Sequence, residues 1–128
     1  MKIILPWPNP KLNPNRSKGM HWASTTALRK TARTAAGYLA RQAMSADRGS
    51  VGNAAGTLAL SITFVQPDKR ARDRDNLLAA LKPSLDGVAD ALGVNDSQFD
   101  PITIRREYGP KPGSVVIEVV PKGKGETA

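Results

Sequence analysis

The 128-residue chain has no cysteine and a single histidine, His21. Without thiols there are no disulfides and no thiolate metal sites, and the absence fits a reducing compartment. One histidine cannot supply a two-histidine zinc site or the histidine-metal motifs of some nucleases. A Ser-His-Asp triad would need His21, and no Gly-x-Ser-x-Gly elbow accompanies it. There is no Gly-x-x-x-x-Gly-Lys-Ser/Thr loop, which argues against nucleotide hydrolysis. No apolar run reaches the roughly 18 residues of a membrane span. The opening Met1–Pro6 is too short, and too soon broken by proline, to read as a signal peptide.

What the chain does have is positive charge: a formal +8 and an isoelectric point near 10.2. That balance favours polyanionic partners through counterion release, although a merely basic soluble protein would show the same numbers. The length suits one domain, expected over residues 1–121, with a polar and disordered tail at 122–128. About two-thirds of the unfolded surface can be buried at this size, enough for a self-sufficient core.

The periodicity predicts a β-α-β-α-β-β order. Lys2 to Leu5 is a short strand stopped by Pro6. Prolines then alternate through Pro6 to Arg16, which excludes regular structure there; Trp7 in this loop either plugs the core or stacks on a base. Ser24 or Thr25 can cap a helix from Ala27 to about Ala46, whose apolar stripe is Leu28, Ala32, Ala35, Leu39 and Ala43. Arg29, Lys30, Arg33 and Arg41 form its basic side. Asp47 to Gly56 reads as a loop. Leu58, Leu60, Ile62 and Phe64 alternate with polar or small residues in the clearest strand. A second helix carries a stripe of Leu77, Leu81, Leu85, Val88 and Leu92, is capped by Asp73 or Asp75, is kinked at Pro83 and is closed by Gly93. Strands follow around Ile102 and Ile104 and around Val115, Ile117 and Val119, with Gly109–Gly113 between them as a hairpin loop. One mixed sheet of about four strands packed with two helices, an α+β fold, is expected.

The chemistry concentrates at Arg72-Asp73-Arg74-Asp75-Asn76. Two carboxylates stand two residues apart inside a run of Lys69, Arg70, Arg72 and Arg74, at a strand-to-helix junction. A third acid, Asp96, follows the second helix and reaches the junction if the chain folds back. An oxygen-only ligand set of this kind suits Mg²⁺ or Mn²⁺. A metal and a phosphodiester together would use both signs of charge. Lys82 shares a helix face with Asp75, Ala79, Asp86 and Asp90, and would add positive charge near a phosphate. Arg70, Arg72 and Arg74 would grip neighbouring phosphates. The plainer alternative is that the acids neutralise their arginine neighbours and cap a helix; an Asp-x-Asp spacing alone does not separate the two.

In these residues the chain resembles the RusA family of Holliday junction resolvases of bacteria and prophages. The matching pieces are Leu5-Pro6-Trp7-Pro8, Asn13, Arg16, His21, Pro67-Asp68-Lys69-Arg70, Arg72 to Leu77, Lys82, Leu85-Asp86 and Asp96-Ser97-Gln98. The resemblance spans most of the chain. It implies a Mg²⁺-dependent, homodimeric endonuclease of DNA recombination and repair that cuts four-way DNA junctions symmetrically, in the cytoplasm and on the nucleoid through DNA. By position, Asp73, Asp75 and Asp96 would be the catalytic and metal-binding acids. The DNA-binding set would be Arg16, Lys18, His21, Lys69, Arg70, Arg72, Arg74 and Asn76. The family's catalytic lysine often stands four residues after the second acid, where this chain has Ala79; Lys82, on the same face, would replace it. Paired acids often precede the family's glutamine, whereas here Asn95 precedes a single Asp96.

Overall fold

The alternation of Leu58, Leu60, Ile62 and Phe64 with smaller or polar neighbours becomes β2 (Thr57–Gln66), every second side chain of which is buried. The fold is described from a computed structural model over residues 1–13, 22–46 and 57–122, without the side chains at 22–24, 121 and 122. Arg16, Lys18, His21 and the expected loop at 47–56 lie outside the described residues, as does 123–128. The other strands are β1 (Lys2–Pro6), β3 (Phe99–Tyr108) and β4 (Ser114–Lys122), and the helices are α1 (Trp22–Ala46) and α2 (Arg74–Leu92). The chain is therefore α+β, one mixed four-stranded sheet with two helices. No helix among the described residues is long and apolar enough to cross a membrane.

The strand order is β1-β4-β2-β3. β4 is inserted between β1 and β2 and is antiparallel to both, with Ile117 opposite Ile3 on one side and Ile62 on the other. β3 lies parallel to β2 on the far edge, Ile104 opposite Ile62, with α2 as the crossover that parallel neighbours require. The expected hairpin at Gly109–Gly113 is thus not a hairpin: β3 and β4 never pair, because β2 separates them. The loop instead carries the chain across the end of β2. Gly109 N donates to Gln66 O at 2.9 Å. A Cβ on Gly109 would fall 2.4 Å from Val65 Cγ1, and Gly113, at φ 85°, would meet the Val65 carbonyl oxygen at 2.9 Å. β4 also continues through Pro121 to Lys122, past the expected boundary.

The inner face of the sheet, with Ile3, Leu5, Leu60, Ile62, Phe64, Val115, Ile117 and Val119, joins Leu77, Leu81, Leu85, Val88 and Leu92 of α2 in one core. Fully burying each of the larger side chains contributes roughly 2 kcal/mol. The predicted stripe of α2 is therefore the buried one. Pro83 lies inside the helix without ending it, and Gly93 closes it at φ 71°. The stripe of α1 is rotated from the expected one. Ala36 and Ala40 are buried, whereas Ala35 is exposed and Leu28, Ala32, Leu39 and Ala43 are only half-buried. The reason is the helix crossing: Gly87 of α2 lies so close to α1 that an added Cβ would sit 2.1 Å from the Arg33 carbonyl oxygen, and one on Gly37 3.3 Å from that of Gly87. Only glycines let the backbones approach this closely. Helix α1 also starts at Trp22, so Ser24 and Thr25 lie within it rather than capping it. In the proline-rich entry, Pro10–Leu12 forms a 3-10 turn capped by Asn9, whose Oδ1 accepts from Lys11 N at 2.9 Å.

Candidate functional site

The loop between β2 and α2 is fixed from three sides before it reaches the acids. Arg72 is the centre of that arrangement. Its guanidinium donates to both oxygens of Asp68, at 2.9 and 3.3 Å, and reaches Gln66 Oε1 at 3.5 Å. It also lies over the Trp7 ring, 5.3 Å from the centroid, a favourable cation–π geometry. Trp7 in turn meets Phe64 edge-on, centroids 6.1 Å apart, so it closes the end of the core. Arg106 of β3 donates from Nη1 to the Arg72 carbonyl oxygen at 2.8 Å. The hydrogen bond from Arg72, followed by that from the Arg70 amide, holds the Asp68 carboxyl below the usual aspartate range. With its side chain only 17 % exposed, Arg72 is turned into this network. Nothing local in the sequence marks Arg106 or Trp7 as an anchor of this loop; the buried end of an alternating strand points only to Gln66.

Beyond this anchor the helix begins. Asp73 is its N-cap, with Oδ1 accepting from Asp75 N at 2.9 Å, and Asp75 lies in the first turn. Carboxylates are favoured at a helix N-terminus, where free amides and the helix dipole meet them. Both acids are exposed, and among the described residues the Asp75 carboxylate has no hydrogen-bond partner. Lys69, Arg70 and Arg74 flank them along the chain, all exposed; Arg70 adds to the lowering of the Asp68 pKa, and Lys69 and Arg74 have no side-chain partner among the described residues. A hollow of about 500 Å³ opens beside the helix start, lined by Trp7, Asn9, Asn13, Arg70, Asp73 and Asn76 among others; of the two acids Asp73 lines it and Asp75 does not.

Lys82 and Asp96 are brought together, but elsewhere. Asp96 opens a 3-10 turn (Asp96–Gln98) held by reciprocal caps: Asn95 Oδ1 accepts from Ser97 N at 3.2 Å and Gln98 Oε1 accepts from Asn95 N at 2.9 Å. From there Asp96 accepts a hydrogen bond from Lys82 Nζ, which also donates to Asp86 at 3.1 Å. The bond to Asp96 raises the Lys82 pKa above the usual lysine value, and the same bond lowers that of Asp96. Arg33 of α1 takes Asp90 in a two-pronged pair, at 2.6 and 2.8 Å, which lowers the Asp90 pKa.

The third acid therefore does not return to the junction. Lys82 is seven residues beyond Asp75, about 10 Å along the helix axis at the usual rise. The connection from Gly93 to Phe99 is too short to carry Asp96 further back than mid-helix. Among the described residues no three acidic or histidine side chains come close enough to hold a metal ion. The three-acid set does not fit as one site within a single chain. The Asp73–Asp75 pair does fit the donor set that Mg²⁺ commonly takes: one or two carboxylates, with water and substrate phosphate oxygens completing the shell.

No family model matches the chain. An uncharacterized protein of Xylella fastidiosa is 37 % identical over 117 residues, which cover 91 % of this chain and 74 % of that protein. At that identity and coverage, the chain belongs to the same family as the uncharacterized Xylella protein.

Proposed function

We propose that the chain is a Mg²⁺-dependent endonuclease acting on branched DNA of the RusA kind, working as a homodimer. The observation that carries the reading is the exposed Asp73–Asp75 pair at the start of α2, flanked along the chain by the exposed cations Lys69, Arg70 and Arg74, with Asp73 and Arg70 lining an open hollow. The acids stand on a basic stretch of chain, and a cation with a phosphodiester would satisfy both charges. An ion on Asp73 and Asp75 would supply Lewis-acid stabilisation of charge developing on the phosphate. Lys69, Arg70 and Arg74 would bind flanking phosphates and orient the strand. Asn76, half-buried on the hollow's wall, has an amide to donate. Lys82, paired with Asp96 and Asp86, would contribute positive charge on that side of α2. Two copies would present two such mouths to the two opposed strands of a two-fold symmetric junction.

The test is cleavage of a synthetic four-way junction with Mg²⁺ by the intact protein and by Asp75→Asn, beside a linear duplex. Paired cuts in the junction, lost in the variant, support the reading. Cleavage of both substrates alike makes it a nuclease without junction preference. No cleavage, or equal cleavage by protein and variant, removes it.

A second reading, a basic nucleic-acid-binding module with structural acids, is favoured by the capping role of Asp73 and by the Lys82–Asp96 bond. It expects salt-sensitive DNA binding with no response to Mg²⁺.

A further inference from the structure

A second hollow, also about 500 Å³, lies between α1 and α2, away from the Asp73–Asp75 mouth. Its cationic lining is Arg29, Lys30 and Arg33 from α1 and Lys82 from α2, against a single lining acid, Asp86. Two of these cations are already tethered, Arg33 to Asp90 and Lys82 to Asp86 and Asp96. Arg29 and Lys30 are not: both are exposed, and neither has a hydrogen-bond or ion-pair partner among the described residues. An open cavity that presents two uncompensated cations beside a largely apolar wall that includes Leu12, Ala79 and Pro83 suits an anion that also carries apolar surface, as a sugar-phosphate strand does.

The position of the hollow says which anion. It shares α2 and the Pro10–Leu12 turn with the hollow at the acids. Asn76, Leu77 and Ala80 line one, and Ala79, Lys82 and Pro83 the other; Pro10 lines the first and Leu12 the second. Ala79, on the wall of the second hollow, is exposed. From Asp75 to Lys82 is about 10 Å of helix axis, or about three nucleotides of strand at 3.4 Å each.

We propose that this interhelical hollow is a backbone-phosphate subsite, in which Arg29 and Lys30 grip the nucleic-acid strand a few nucleotides from the bond facing Asp73 and Asp75. The proposal rests on the nucleic-acid reading of the Asp73–Asp75 site but not on cleavage. Its test is therefore binding of a synthetic four-way junction in EDTA, followed by anisotropy across a salt series. Phosphate contacts set the slope of log affinity against log salt, at about one unit per contact.

Arg29→Gln/Lys30→Gln should reduce that slope by about two and weaken binding alike for junctions of different sequence. Lys2→Gln/Lys111→Gln removes the same charge from β1 and from the β3–β4 loop, and should change the slope far less. Glutamine is a good helix former at exposed positions. Should the double variant still fail to fold, Lys30→Gln alone should reduce the slope by about one. An unchanged slope, or equal changes in both double variants, overturns the subsite and leaves the nuclease reading standing. Binding with the expected slope change but without cleavage in Mg²⁺ supports the subsite and removes the nuclease reading. An intact protein that does not bind the junction overturns both.

Discussion

Arg106 Nη1 donates to the carbonyl oxygen of Arg72 at 2.8 Å, joining the edge strand β3 to the residue just before the Asp73 cap. Strand and acid-bearing helix start are thereby held in one register, although 34 residues separate the two partners. Arg106→Ala should loosen the loop from Pro67 to Asp73 while leaving the core intact. Amide hydrogen exchange at Lys69 to Asp73 should speed up, with global stability lowered by about 1 kcal/mol, the net worth of one such bond. Unchanged exchange there would mean that Trp7 and Asp68 anchor the loop without it.

Capping and the proposed metal binding make different demands on Asp73. Asparagine caps as well as aspartate, whereas alanine gives up about 1 kcal/mol. Asp73→Asn should keep the thermal unfolding midpoint and lose Mg²⁺-dependent cleavage of a junction by more than tenfold, as for removal of a group acting in the transition state. Asp73→Ala should lose both. If Asp73→Asn cleaves normally, the acid is a cap and nothing more.

The Lys82–Asp96 bond predicts two limbs in a plot of stability against pH. The Asp96 pKa is lowered on folding, so its contribution is present above the unfolded value of about 3.9 and is lost as pH falls through the folded one. The Lys82 pKa is raised, so its contribution is present below about 10.4 and is lost as pH rises through the folded value. Asp96→Asn should lower the unfolding midpoint slightly between these limbs, and the gap to the intact protein should close in acid. A gap that persists or widens at low pH would contradict the pairing.

Two glycines separate want of space from backbone strain. Gly87→Ala forces a methyl against the Arg33 carbonyl, 2.1 Å away, and must push α1 from α2; a loss of about 1–3 kcal/mol is expected, as for overpacking. Gly93→Ala meets nothing within 4 Å but must hold φ at 71°, which costs about 1 kcal/mol or a little more. Chemical denaturation of both variants measures the difference. A milder effect at Gly87 than at Gly93 would show that the helices separate easily.

Residues near one another along the chain determined much by themselves. The alternation in β2 and β4 and the leucine stripe of α2 depend only on strand and helix periods, so sequence alone identified the core side chains of these three elements. The Asp73 cap and the Gly93 stop are similarly local, since each answers unpaired groups within its own helix end. So is the excess of positive charge.

Tertiary structure decided what depends on distant partners. Whether Gly109–Gly113 turns a hairpin or crosses the end of β2 depends on where β4 finds hydrogen bonds, and β4 takes the place between β1 and β2. The face that α1 buries depends on how closely Gly37 and Gly87 let two backbones approach, not on the larger apolar residues. The site divides in the same way. Asp73 and Asp75 are adjacent by covalent structure, whereas the place of Asp96 is set by a connection that brings it back only as far as Lys82. The inward turn of Arg72 needs Trp7, Gln66 and Asp68 together. Periodicity carries no information about contacts between chain segments whose separation must first be closed against the entropy of the loop between them.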